Sequence, residues 1–342
     1  MSQPKNISSR KTDHLRIVLE KDVVSRQLNG LGKYNFHHCA LPDLDFKEID
    51  TNIFFVNKPM KIPLLISSMT GGTTKAAKLN QVLASAAQRH GIAMGVGSQR
   101  AGIEVPTLMA TFKVRRFAPD IPLFANLGAV QLNYSYGVEH CQKVIDALEA
   151  DALLLHLNPL QEVLQPEGNT NFSGLLSKIE KICQSLNVPV IVKEVGWGIS
   201  AEVAAQLSSA GVAAIDVAGA GGTSWSEVEK YRHGDEILQR IAGCFRDWGI
   251  DTATSIKLVR KTVPRMAIIA SGGITNGIEI AKCIALGASM AGMARRFLQA
   301  ANQSPDAVDC LINEIQMQLK ICMFVVGAKD IEGLKKIPLY EH

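Results

Sequence analysis

The chain has 342 residues, 47% of them hydrophobic and 20% charged, which suits one large α/β barrel or two average domains and excludes a disordered chain. A formal net charge of +4, with no Lys/Arg block and no basic stretch interleaved with aromatics, argues against nucleic acid as a partner. Seven scattered cysteines, odd in number and without a CxxC pair, argue against a zinc knuckle or a disulfide framework.

The N-terminus, MSQPKNISSRKTDHLRIV, is polar and has no apolar core of a signal peptide. No run approaches the roughly 18 apolar residues of a membrane span. The expectation is a soluble cytoplasmic protein with no membrane partner, its thiols acting mostly as buried small hydrophobes. Thr12 to Gln27 reads as a helix with Leu15, Val18, Leu19 and Val23 on one face. The turn-rich stretch from Asn29 to Met60 reads as an extension packing on something larger, so that residues 1–60 form an N-terminal extension and 61–342 the main domain.

From Lys61 onward, short β-branched runs alternate with amphipathic stretches. The runs are Ile62–Ile66, Ile92–Val96, Leu123–Ala125, Ala152–Leu155, Val190–Val192, Ala213–Val217, Ala267–Ala270 and Ala288–Gly292. Helical patterns cover Lys75–Arg89, Val138–Ala150, Leu175–Leu186, Ala201–Ala210 and Ile278–Leu286. The runs are apolar on both faces, as in a parallel sheet covered by helices, and eight such repeats predict a closed TIM (β/α)8 barrel. The longest connection, Ala218 to Pro264, reads as a mobile loop or lid leading into the sixth helix. A final helix is capped by Ser304, carries Pro305 in its first turn, ends at Gly327, and buries a stripe from Val308 to Cys322.

In such a barrel the chemistry sits at the C-terminal ends of the strands. Polar and glycine residues gather there: Ser67 to Gly72, Gly97 to Arg100, Asn126 to Gly128, His156 to Glu162, Lys193 and Glu194, Ala218 to Thr223, Ser271 to Ile274, and Ala294 to Arg296. Gly272 and Gly273 allow close backbone approach, and with Arg295 they read as a phosphate cradle, with plain turn glycines as the alternative. Lys193, at the end of VIVK, is a cation for the negative edge of a reduced flavin, a Schiff-base lysine, or the partner of Glu194. In HLNPLQE, one carboxylate with amide oxygens suits Mg²⁺, which keeps water and takes substrate phosphates; an isolated solvated Glu162 is the alternative. Arg100, Arg10 and Lys11 are cations for a diphosphate, unless the last two belong to a solvated basic tail.

The set RKTDH, MTGG, GSQR, NLG, HLNPLQE, the Lys193 strand, GAGGTSW and SGGI, in that order over residues 9 to 297, resembles the type 2 isopentenyl-diphosphate Δ-isomerases. More broadly it resembles FMN-binding barrels such as the 2-hydroxy-acid oxidases. The resemblance implies FMN- and Mg²⁺-dependent interconversion of isopentenyl and dimethylallyl diphosphate by a homotetramer or octamer, with the flavin reduced by NADPH. It implies that Ser68, Met69, Thr70, Gly71, Ser98, Asn126, Lys193, Ala218 and Thr223 line the FMN, and that Gly273, Ile274, Thr275, Ala294 and Arg295 hold its phosphate. Arg10, Lys11, Ser98, Gln99, Arg100 and Gln161 would bind substrate and Glu162 the metal, with His156, Asn158 and Gln161 as helpers. Thr275 and Ala218 depart from the expected basic residue and serine; the Thr275 hydroxyl and N–H are still expected to meet the phosphate.

Moving a double bond requires protonating one carbon and deprotonating another, and no paired acid and base stands out among the side chains. Reduced FMN is therefore the expected acid and base. The alternatives are an FMN-dependent 2-hydroxy-acid oxidase and a non-catalytic flavin- or phosphate-binding barrel. The oxidase needs a histidine base and an arginine clamp near strand 7, where Lys257, Arg260 and Lys261 precede the strand but no histidine follows Lys193 until His233.

Overall fold

The computed structural model describes residues 7–341. Its centre is eight parallel strands: β1 (Leu64–Ile66), β2 (Ala93–Gly95), β3 (Leu123–Gly128), β4 (Ala152–His156), β5 (Val190–Lys193), β6 (Ala214–Asp216), β7 (Ala267–Ser271) and β8 (Met290–Met293). They pair in chain order, and β8 pairs with β1 to close the barrel. This is the TIM barrel that the apolar runs predict. Each run holds one strand, with ends shifted by a few residues.

Alternation along each strand builds two apolar layers. Leu64 and Ile66 pack outward among the helices, whereas Leu65, Phe124, Leu154, Ile191, Ile269 and Met290 fill the barrel interior. Phe55 and Met60 join that interior from an antiparallel hairpin, Ile53–Phe55 with Lys58–Met60. The ring of Phe55 stands 6.1 Å from that of Phe124. The hairpin plugs the end of the barrel where the strands begin. Lys58 secures it there, 2.7 Å from Asp151 just before β4.

The first helix is Ile7–Glu20, not the predicted Thr12 to Gln27. Val23 and Val24 are β-branched and go extended. Val24 bridges Thr223, and Val23 O accepts from Ser224 N at 2.7 Å. Farther along, Tyr34–Phe36 pairs with Leu339–Glu341, joining the extension to the chain's other end.

The 218–264 connection is not a long loop. It folds as helices Trp225–Lys230, Glu236–Cys244 and Thr252–Thr262, two of them capped by Asp235 and Asp251. The last long helix runs Pro305–Val325 with Ser304 accepting from Ala307 N, and Gly327 follows at φ 77. All seven cysteines are unpaired, but only Cys141, Cys283 and Cys322 are buried, so the thiols are less uniformly core residues than expected. Among the described residues no helix is long and apolar enough to cross a membrane.

Candidate active site

At the C-terminal ends of the strands lies a cavity of about 530 Å³. Every strand exit contributes to its wall, and the first helix closes one side. Arg10, Lys11, His14, Leu15 and Val18 face it, a set spaced to lie on one helical face. Arg10 and Lys11 thus line the cavity of their own chain. Nearly every residue singled out in the sequence lines it as well. Of those expected to bind cofactor, substrate or metal, Gly71 and Gln99 do not, and among the other strand-exit residues Gly72 and Glu194 stay out of it too. A Cβ on Gly71 would overlap the Phe112 ring. Gln99 is fully buried behind the wall, donating to Val144 O at 3.1 Å and accepting from Asn126 N at 3.1 Å.

One flank carries the features of a phosphate site. The Arg295–Gln303 helix starts at the cavity, and its N-cap, Ala294, has no side chain to cap the first N–H groups. Arg295 Nε is buried there without a partner. Gly272 and Gly273 adopt φ of 110° and 73°, conformations that a β-carbon disfavours. A Cβ on Gly222 would stand 2.6 Å from Gly273 N. Thr275 departs from expectation. Its N and Oγ1 both bond Glu279 Oε2, at 2.7 and 2.9 Å, as part of the cap of the Gly277–Ala285 helix. Those two donors are already engaged.

The cavity floor holds a charged cluster. Lys193 Nζ donates to Ser271 Oγ at 3.2 Å and stands 3.2 Å from Asp216 Oδ2. Ser271 donates to Asp216 Oδ1 at 2.6 Å. Lys193 does not pair with Glu194. That carboxylate turns away to accept from the N–H groups of Val195, Gly196 and Trp197, and burial pushes it up to about 7. Beside the floor, Asn126 gives its amide to Val96 O and its Oδ1 faces His156 Nδ1 at 2.8 Å. This arrangement assigns the proton to Nδ1. Burial, then Lys193, Lys11 and Arg10, pull His156 down to about 4, so the ring is neutral near pH 7.

The other flank gathers cations around oxygen donors. Lys11 Nζ donates to Ser98 O at 2.6 Å and sits over the Phe112 ring. Burial, then Arg10, pull it down to about 7. Burial, then Arg100, lower Arg10. Arg100 reaches Glu104 at 2.6 Å and Asn169 at 2.8 Å. Pro159 starts the short Pro159–Leu164 helix, which places Gln161 and Glu162 at the wall. Glu162 accepts from Asn158 Nδ2 at 3.0 Å and Gln165 Nε2 at 3.1 Å, whereas Asn158 Oδ1 is buried without a partner. Among the described residues no three His, Cys, Asp or Glu side chains converge on a metal position. A site of one carboxylate, one free amide oxygen and ligand phosphates still fits Mg²⁺.

Several members of this site were not singled out in the sequence. His14 Nε2 lies 2.9 Å from Glu229 Oε1, which also accepts from Gln161 Nε2 at 3.0 Å. Arg232 donates to Glu229 Oε2 at 2.6 Å and to Glu167 at 2.8 Å. Burial pushes the Glu229 carboxyl up, but His14, Arg232 and Gln161 outweigh it and hold it at about 2. The i, i+4 spacing from Arg10 to His14 was the available signal for His14. Glu229 and Asp216 carried little signal, because apart from Arg232 and Ala218 N their partners come from distant elements.

Comparison with known proteins gives consistent results. Residues 150–340 match the family model of FMN-dependent dehydrogenases. The chain is 52% identical over 328 residues to an isopentenyl-diphosphate delta-isomerase of Nostoc sp., covering 96% of this chain and 94% of that one. It is 52% identical over 332 residues to one of Synechococcus sp. (97% and 95%), and 49% identical over 336 residues to one of Rickettsia felis (97% and 97%). Among solved structures, mandelate oxidase with (S)-2-phenylpropionate superposes with a TM-score of 0.70 at 16% identity, covering 98% of this chain and 97% of that one. The same oxidase with a difluorinated 2-hydroxy acid gives 0.67 at 15%, covering 98% and 97%. At that identity the likeness shows the fold alone.

Proposed function

The chain belongs to the isopentenyl-diphosphate delta-isomerases of the FMN-dependent type, and from that premise we propose how its cavity divides the work. One observation carries the reading. Ser67 Oγ, Ser68 Oγ, Asn158 Oδ1 and Arg295 Nε are all buried without partners, and all belong to residues that line one cavity. Buried polar atoms are nearly always paired in a folded protein, so four orphans around one space mark places that a ligand fills.

The proposed FMN wall comprises Ser68, Met69, Thr70, Ser98, Asn126, Lys193, Ala218 and Thr223, with Lys193 on the edge that gains negative charge on reduction. Its phosphate sits on the Arg295 helix N-terminus with Gly273, Ile274, Ala294 and Arg295. Arg10, Lys11, Ser98, Arg100 and Gln161 hold the substrate diphosphate. Glu162 and Asn158 supply oxygen ligands for Mg²⁺ on it.

Reduced FMN, when bound, supplies the acid and base that shift the double bond without net redox change. The side chains support this division. His156 is neutral and spends its Nδ1 proton on Asn126. Glu229 stays ionised near pH 7, with no proton to give. These residues orient and desolvate; burial of the first helix over the cavity keeps water from the reacting carbons. The unpaired thiols support a reducing cytoplasmic compartment. NADPH as reductant and a homo-oligomeric assembly rest on the family resemblance.

The test is direct. Dithionite-reduced, FMN-loaded protein with Mg²⁺ should convert isopentenyl diphosphate to dimethylallyl diphosphate. EDTA should abolish turnover, and 5-deaza-FMN should not restore it. Oxidation of a 2-hydroxy acid without isomerisation would instead select the oxidase reading. That alternative has little support here. The histidines lining the cavity are His14 and His156, and Lys257, Arg260 and Lys261 are absent from the wall. Arg260 bonds Gly287 O and Lys257 the Tyr34 hydroxyl.

A further inference from the structure

We infer that Asp216 is a positioning residue which, through Lys193, sets the charge presented to the flavin and hence its reduction potential. This deepens the flavin reading above and rests on it.

Asp216 ends β6 and is completely buried. A carboxylate with no access to water is retained only where charge and hydrogen bonds compensate its desolvation. Its Oδ1 accepts from Ser271 Oγ at 2.6 Å and from Ala218 N at 3.3 Å. Its Oδ2 has no aligned hydrogen bond, and Lys193 Nζ stands 3.2 Å from it. The same ammonium donates to Ser271 Oγ, so three side chains from β5, β6 and β7 form a closed cluster. Lys193 and Ser271 line the cavity, whereas Asp216 lies behind them.

A second observation ties Asp216 to the wall. Ala218 lines the cavity with φ 36°, a left-handed conformation unusual for alanine. Asp216 Oδ1 holds its N–H, and Gly198 N–H holds its carbonyl at 3.1 Å. Strain of this kind persists only where the surroundings enforce it. One buried carboxylate therefore fixes both the cation and a strained piece of the cavity lining.

The electrical consequence follows from charge. An ammonium against the flavin ring favours the reduced form, which carries more negative charge, and a carboxylate 3.2 Å behind that ammonium offsets part of the effect. Asp216→Asn keeps an oxygen for Ser271 and Ala218 but removes the offset. The variant should bind reduced FMN more tightly relative to oxidised FMN by about tenfold, a rise of about 30 mV for a two-electron couple. Lys193→Met should lower the potential. Because Asp216 acts on the flavin through the Lys193 ammonium, adding Asp216→Asn to Lys193→Met should change nothing further.

The experiment is dye-linked potentiometry of the FMN-loaded protein and these three variants, with FMN affinity measured by fluorescence titration. A raised potential in Asp216→Asn, lowered in Lys193→Met and equal in the double variant, supports the inference. An unchanged potential in Asp216→Asn while Lys193→Met falls overturns it and leaves the flavin reading intact. If Lys193→Met alters neither potential nor FMN affinity, the flavin reading fails and the inference with it. Should the single Asp216 variant not fold, the double variant, neutral at both positions, is compared with Lys193→Met. Equality supports the inference, and a tenfold difference overturns it.

Discussion

Replacing Glu229 by glutamine tests whether the network between the first helix and the Trp225–Lys230 helix organises the site. Glu229 is fully buried and accepts from His14, Gln161 and Arg232. Its carboxyl is held at about 2 against a usual 4.5. That difference corresponds to about 3 kcal/mol of stability. An independent route agrees, since removing one partner of a buried ion pair costs about 3–5 kcal/mol. The sign follows from the direction. A carboxyl depressed on folding stabilises the native state above its unfolded pKa, and the contribution fades as pH falls through the folded value. Glu229→Gln should therefore lose about 3 kcal/mol in urea unfolding at pH 7, and the gap to the parent should narrow by roughly a quarter near pH 4. A gap below about 1 kcal/mol at pH 7, or one that widens on acidification, would refute the reasoning.

Three further outcomes are expected. Gly273→Ala forces a β-carbon into Gly221 O at φ 73°; FMN affinity of the apoprotein, read by flavin fluorescence, should fall by about a hundredfold or more, and an unchanged Kd would remove this turn from the phosphate site. Lys11 loses its proton at about 7 in the ligand-free protein, so calorimetric affinity for inorganic pyrophosphate should weaken as pH rises through that value, and Lys11→Met should flatten the profile; an unaltered profile in that variant would assign the dependence elsewhere. Phe55→Ala opens a void at the plugged end of the barrel; it should cost about 3–5 kcal/mol in denaturant unfolding while FMN affinity stays within about twofold of the parent, and a large loss of affinity would mean that the plug and the cavity are coupled.

Much of the architecture was legible because its signals are local. Runs such as Val190–Val192 are β-branched and apolar on both faces, a pattern that a covered parallel strand requires. Ser304, Pro305 and Gly327 mark a helix start and stop through backbone chemistry that any context would respect. Glycines and polar residues at the strand exits marked the cavity end, and the Arg10–Lys11 pair proved to line it. Where local preference was weak, the reading slipped. Val23 completed a plausible apolar face, yet it accepts from Ser224 N while Val24 bridges Thr223, and the chain goes extended there. The 218–264 stretch reads by its length as a lid leading into one helix, yet packing folds it into three.

The eight β/α repeats, the cavity end of the barrel and most residues that line the cavity are legible along the chain, in its periodicity and strand-end composition. Tertiary structure alone decided which polar groups meet. It paired Lys193 with Asp216 instead of the adjacent Glu194, brought His14 to Glu229 across 215 positions, and turned Gln99 behind the wall onto Val144 O. The physical reason is range. Secondary structure follows from neighbours a few residues apart, whereas the partner of a buried charge is whichever opposite charge the closed barrel places within about 3–4 Å.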